Sequence, residues 1–151
     1  MIQIVKTDSG NTDFQTLVSL LDADLALRDG EDHVFYAQFN KTDKIKYVIL
    51  VYHHHSAIAC GAIREWDNGI MEIKRMFVLP EFRRKGYAQM VVENLEKWAG
   101  ELGFDNCILE TGKNQPEAIQ LYQKIGFKIT PNYGQYENVE NSVCMHKKVV
   151  L

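Results

Sequence analysis

Apolar residues recur along this chain in two periods, and the switches between them divide it into elements. Residues 2–5 read as a short strand. Phe14, Leu17, Val18, Leu21 and Leu25 then fall at i, i+3, i+4 spacing, which predicts a helix capped by Thr12 or Asp13 and closed near Gly30. A second, short helix is expected over residues 34–39. Residues 46–52, 57–66 and 70–79 are β-rich and fit a meander. Their connections are residues 53–56 and Asp67-Asn68-Gly69, the latter rich in residues that tolerate the positive φ of a tight hairpin.

After Pro80 the period becomes helical: Ala88, Val91, Val92, Leu95, Trp98, Ala99 and Leu102 line one face of a helix that stops at Gly103. A strand over residues 106–110 follows. Asn114-Gln115-Pro116-Glu117 predicts an Asn114 cap with proline in the first turn, opening a helix through Ala118, Leu121, Tyr122 and Ile125 that halts at Gly126. One strand begins at Phe127 and a last one lies within residues 142–150. The order β-α-α-β-β-β-α-β-α-β-β is that of an α/β protein with a mixed sheet. No repeat, low-complexity tract or linker divides the chain, so residues 1–151 are expected to form a single domain.

Composition narrows the class. With 46% hydrophobic and 25% charged residues, the 151-residue chain can bury a core unaided by disulfides or metal. A net charge of −3 without a long Lys/Arg run argues against nucleic acid or anionic lipid as main partners. Cys60, Cys107 and Cys144 are odd in number and lack metal-ligand spacing, which points to buried thiols in a reducing compartment. The N-terminal sequence has no secretory pattern, and the longest apolar run, residues 47–52, is far short of the roughly 20 residues a membrane span needs. A cytoplasmic protein without a membrane segment is expected.

The segment richest in chemistry is Pro80-Glu81-Phe82-Arg83-Arg84-Lys85-Gly86-Tyr87-Ala88, between a strand and a helix. A glycine in such a turn lets backbone N–H groups converge, and the helix start adds its own free donors and partial positive charge. Arg83, Arg84 and Lys85 would add charge-assisted contacts, so the turn suits a pyrophosphate; otherwise it is a solvated basic loop. Competing phosphate motifs fail. Gly112-Lys113 is no P-loop, because position 107 is Cys and Asn114 stands where Ser or Thr is required. No G-x-G-x-x-G follows a predicted strand.

Arg83-x-x-Gly86-x-Ala88, after the strand Glu72-Ile-Lys-Arg-Met-Phe-Val78-Leu-Pro80, resembles the signature of the GNAT superfamily of acetyl-coenzyme-A-dependent N-acetyltransferases. Asn114-x-x-x-Ala118-x-x-Leu121-Tyr122-x-x-x-Gly126-Phe127 resembles that family's closing helix and the strand after it. Together the motifs cover residues 70–127. Pro131-Asn132-Tyr133-Gly134-Gln135-Tyr136 and Ser142-Val143-Cys144-Met145 resemble a bacterial subgroup of small members. The resemblance implies a mixed, mostly antiparallel sheet of six to seven strands, helices on both faces, and a cofactor cleft where the fourth strand splays from the fifth. It names a reaction and leaves the acceptor amine open.

The same resemblance implies roles. Met76, Phe77 and Val78 would line the pantetheine arm of acetyl-CoA, though strand core is the alternative. Backbone groups from Arg83 through Arg84, Lys85, Gly86 and Tyr87 to Ala88 would hold the pyrophosphate, with Asn114 and Ala118 also against the cofactor. Tyr122 would be the general acid toward the leaving thiolate, or else a core aromatic. Glu72, 14 residues before Gly86, would be the general base, or else a structural carboxylate paired with Lys74 or Arg75. The main-chain N–H near Met76 would donate to the oxyanion.

Other features rank lower. His53-His54-His55 point to alternate sides of an extended chain, so a turn cluster is simpler than a metal site, and no metal is expected. Cys144 has no activating base in sequence, which favours direct transfer. Asp22, Asp24, Asp29, Glu31 and Asp32 against Arg28 give residues 22–32 a net charge of −4, either a solvated helix face or an attractor for a cationic amine. Tyr133, Tyr136 and Glu137 are further candidates for the acceptor pocket. A non-catalytic acyl-CoA sensor and a homodimer are both compatible with these features.

Overall fold

The computed structural model describes residues 1–30 and 44–149. Strands β1 (Ile2–Thr7), β2 (Tyr47–His53), β3 (Ser56–Asp67), β4 (Ile70–Val78), β5 (Asn106–Gly112), β6 (Lys128–Thr130) and β7 (Ser142–Lys148) form one sheet in the order β1-β2-β3-β4-β5-β7-β6. The β4–β5 pairing is parallel and the other pairings are antiparallel. Three helices accompany it: α1 (Thr12–Asp29), α2 (Tyr87–Glu101) and α3 (Pro116–Lys124). The helix expected over residues 34–39 lies outside the described residues. Among those residues no helix is long and apolar enough to cross a membrane.

The sheet is buried on both faces, so β2 reads as a near-continuous apolar run. Val48 and Leu50 meet Phe14, Leu17, Val18 and Leu21 of α1, while Ile49 and Val51 belong to a second core with Val91, Val92, Leu95 and Ala99 of α2. Tyr122 of α3 and Phe127 complete that second core.

Two helix starts differ from expectation. The α1 cap is Asn11, whose side chain accepts from Phe14 N at 3.0 Å, ahead of both predicted caps, Thr12 and Asp13. At α3 the cap position is Gln115, with no side-chain cap bond. Asn114 instead donates its amide to Arg28 O at 3.0 Å, tying the start of α3 to the end of α1.

Two irregularities of the sheet position everything that follows. Parallel pairing of β4 with β5 joins only Ile70, Met71 and Glu72 to Asn106, Cys107 and Ile108. Beyond Glu72 the strands part: β5 stays paired with β7 along its whole length, and β4 keeps its ladder to β3. The second irregularity is a bulge. Arg75 and Met76 stand opposite Gly61 alone, and Arg75 has a φ of 57°, in the left-handed region. The bulge requires glycine on the partner strand, since a Cβ at Gly61 would lie 2.5 Å from Met76 Sδ and 2.6 Å from Val91 Cγ1.

Candidate active site

Where β4 and β5 diverge, two cavities meet. The larger, of about 700 Å³, has Met76, Phe77 and Val78 on one bank and Ala118, Leu121 and Tyr122 of α3 on the other. Its far end is formed by Arg83, Arg84, Gly86, Tyr87 and Ala88 at the start of α2. Nine of the eleven residues expected to hold a cofactor therefore line one cavity. Lys85 and Asn114 do not line it: the Lys85 ammonium sits 5.6 Å from the centroid of the Phe82 ring, and Asn114 is engaged with Arg28.

The turn before α2 has the backbone of an anion cradle. Gly86 caps the helix at a φ of 87°, and a Cβ there would meet no atom within 4 Å, so the space before the helix start is open. Arg84 holds a φ of 64°, which costs a non-glycine residue about 1–2 kcal/mol. Arg83 contributes more to the shape of the turn than to its open face. Its Nε donates to Val78 O at 2.8 Å and its guanidinium lies 5.4 Å from the Phe77 ring centroid, anchoring the turn to the end of β4.

The smaller cavity, of about 140 Å³, opens on the α1 side of the sheet. Glu72, Lys74 and Arg75 of β4 face Glu110 and Thr111 of β5 across it, with Leu21 and Leu25 of α1 and Tyr136 completing the wall. Met76, Gln115, Ala118 and Tyr122 border both cavities. Tyr122 is 7% exposed, and burial pushes its phenol well above the ordinary 10, so it stays protonated at neutral pH.

Glu72 is 1% exposed and held from three directions. Its Oε1 accepts from Arg64 Nε at 3.2 Å and lies 3.7 Å from Lys74 Nζ, while its Oε2 accepts from the Tyr133 hydroxyl at 2.7 Å. Of the two pairings open to a structural carboxylate, Lys74 is formed and Arg75 is not. Arg75 pairs with Asp22 of α1. Burial lowers the Lys74 ammonium from its ordinary value, opposed by Glu72. Tyr133 packs edge-on against Trp66 at 4.9 Å, and a Cβ on Gly134 would lie 2.5 Å from that indole, so residues 133–136 close down on the sheet.

Of the acidic segment the structure describes the Asp22 and Asp24 side chains, while Glu31 and Asp32 lie outside the described residues. Asp22 is paired with Arg75 and Asp24 with Arg28, and Arg28 also bonds Glu117 at the start of α3. The histidine run forms the β2–β3 turn, with His54 and His55 at φ values of 49° and 70°. Cys144 is buried, and burial raises its thiol to about 11, which suits a packed side chain better than a nucleophile.

Sequence reasoning did not reach Arg64, Glu110, Thr111 or Gln115, and it held Lys74 and Arg75 only as partners for Glu72. Their signal is a charged or polar residue in an otherwise apolar strand, which shows burial conflict but not which cavity resolves it.

A family model described as the acetyltransferase (GNAT) family matches residues 14–127. The chain belongs to this family. It is 35% identical over 92 residues to the uncharacterised N-acetyltransferase YsnE of Bacillus subtilis, covering 60% of this chain and 61% of that protein. It is 36% identical over 93 residues to an IAA acetyltransferase of Azospirillum brasilense, again covering 61% of each. The matched part thus spans about three fifths of the length of these curated relatives. Among solved structures, an acyl-CoA N-acyltransferase fold from Klebsiella pneumoniae superposes with a TM-score of 0.83 at 23% identity, over 99% of both chains. PaiA N-acetyltransferase from Thermoplasma acidophilum, solved with coenzyme A, superposes with a TM-score of 0.72 at 17% identity over 98% of this chain and 99% of that one. These likenesses establish the GNAT fold.

Proposed function

We propose that this GNAT protein is an N-acetyltransferase that takes its acyl group from acetyl-CoA and delivers it directly to a primary amine. The observation that carries this reading is the meeting of the two cavities at Met76 and Tyr122, in the gap where β4 leaves β5. The larger cavity fits an extended cofactor with a phosphate end: an unpaired strand edge along one bank and an open glycine-capped helix start at the far end. Backbone groups of residues 76–78 would hold the arm, and those of residues 83–88 the pyrophosphate. The bound cofactor supplies an activated thioester carbonyl.

The chain's own groups then divide the work. The backbone at the Arg75–Met76 bulge is left free of the β3 ladder and is the donor nearest the oxyanion. An amine in the smaller cavity forms the C–N bond as the C–S bond breaks. Tyr122 gives its hydroxyl proton to the departing thiolate and regains one from solvent. The proton lost by the amine leaves through water in the smaller cavity. Glu72 is assigned a positioning role. With one oxygen bonded to Arg64 and the other to Tyr133, it ties residues 133–136 to β4.

Thiol release from acetyl-CoA in the presence of a panel of primary amines tests the activity. Tyr122→Phe should lower kcat by about 100-fold or more while leaving acetyl-CoA binding within about twofold. An unchanged kcat would remove Tyr122 from proton transfer. Acetyl-CoA binding without thiol release for any amine would favour a sensor.

A further inference from the structure

The smaller cavity carries more information than the reaction needs, and this inference rests on the reading that it holds the acceptor. Its wall contains two buried cations, Lys74 at 8% and Arg75 at 5% exposure, beside two carboxylates, Glu72 and Glu110. Glu72 is shared by Arg64 and Lys74, so one carboxylate faces two cations there. Arg75 is only partly used. One terminal nitrogen bonds Asp22, whereas its Nε is buried with no hydrogen-bond partner among the described residues.

A buried guanidinium N–H without a partner is costly, and native sites rarely leave one. The Arg75 Nε can donate one charge-assisted hydrogen bond to a carboxylate oxygen, next to the Nη2 that Asp22 holds. The formal charges around the cavity, Arg64, Lys74 and Arg75 against Asp22, Glu72 and Glu110, cancel, so a zwitterion matches it where a dication adds uncompensated charge. The cavity is about 140 Å³ and opens into the larger one at Met76 and Tyr122, so it receives the amine-bearing end of the acceptor beside the cofactor cleft.

We propose that the acceptor is a small amino acid, an amine bearing a carboxylate a few bonds away, with the carboxylate received by Arg75 and the amine turned toward Glu110 and Tyr122. The Asp22 carboxylate then holds Nη2 beside the Nε that the substrate carboxylate takes. It also explains why Arg75 is worth a left-handed backbone: the bulge turns a strand residue toward α1 and over the cavity.

The test uses matched pairs in the thiol-release assay: L-alanine, β-alanine and 4-aminobutyrate, each against its primary amide, with putrescine as a dication. At least one acid should exceed its amide about tenfold or more in kcat/KM, because a polar site rejects an analogue that leaves it unpaired. In Arg75→Gln that preference should fall to within about twofold, with acetyl-CoA affinity unchanged by calorimetry. Asp22→Asn guards against misfolding of the buried variant; it alters a half-exposed helix position and should lower KM for the acid and not for the amide. Amides or putrescine turned over as well as the acids would overturn the proposal. So would acid preference surviving in folded Arg75→Gln, or acetyl-CoA binding with no acid acetylated. Failure to bind acetyl-CoA would overturn the underlying reading itself, and calorimetry separates that result from the others.

Discussion

At the residue scale the proposed site is built from side chains that are also part of the packing. Tyr122 lies in the same core as Leu95 and Phe127 yet borders both cavities, so the packing that holds its ring also fixes it at their junction. Glu72 shows the opposite economy: a carboxylate buried deep in a strand, kept by three donors and the hinge on which residues 133–136 close. Glu72→Gln should therefore raise KM for the amine several-fold more than it lowers kcat, with stability reduced by about 1–3 kcal/mol. Steady-state kinetics across pH check this, since loss of the acidic limb at unchanged KM would make Glu72 the proton acceptor. The family resemblance singles out Tyr122 and Glu72, through their places relative to the motif glycines. It could not show that Tyr133 reaches Glu72 across 61 positions, because such a contact depends on how residues 133–136 fold over Trp66.

At the scale of elements, periodicity located most strands and helices to within a residue or two, because alternation and 3.6-residue spacing are imposed locally by the two cores. The helix caps were less legible. Asn11 and Thr12 are both good caps, and the choice turns on which oxygen reaches Phe14 N. Asn114 looks like a cap but is drawn away to Arg28, a partner 86 residues distant. The cleft came from family resemblance alone, since residues 73–78 are as strand-like as residues 70–72. What the residues do register is the bulge, through Gly61. Gly61→Ala should destabilise the protein by about 1–3 kcal/mol, as Met76 and Val91 are forced aside, and should weaken acetyl-CoA binding with it. Urea unfolding together with calorimetry checks both effects, and an alanine variant with native stability would show that the bulge yields easily.

At the scale of the whole molecule, two cores pack the opposite faces of β4 while its edge beyond Glu72 is unpaired with β5, the gap proposed to take a long ligand. Both cores also contain thiols. Burial raises Cys60 and Cys107 from 9.0 to about 12, so the folded protein keeps these protons where the unfolded chain has lost them. Stability from this source is fully present below pH 9 and is lost as pH rises toward 12, by up to about 1.4 kcal/mol per pH unit for each thiol. The urea midpoint should drop between pH 8 and 10.5, less steeply in Cys60→Ala; a flat profile would contradict the assignment. The most direct test of the central claim, that the gap between β4 and β5 with the Gly86 turn holds acetyl-CoA, is calorimetric titration of the wild-type protein and Gly86→Glu. The added side chain enters the open space before α2 and brings a negative charge to it. Saturable one-to-one binding of acetyl-CoA, far tighter than that of free pantetheine and weakened at least about 100-fold in a folded Gly86→Glu protein, is the result expected. No binding by the wild type, or equal binding by the variant, would contradict the account.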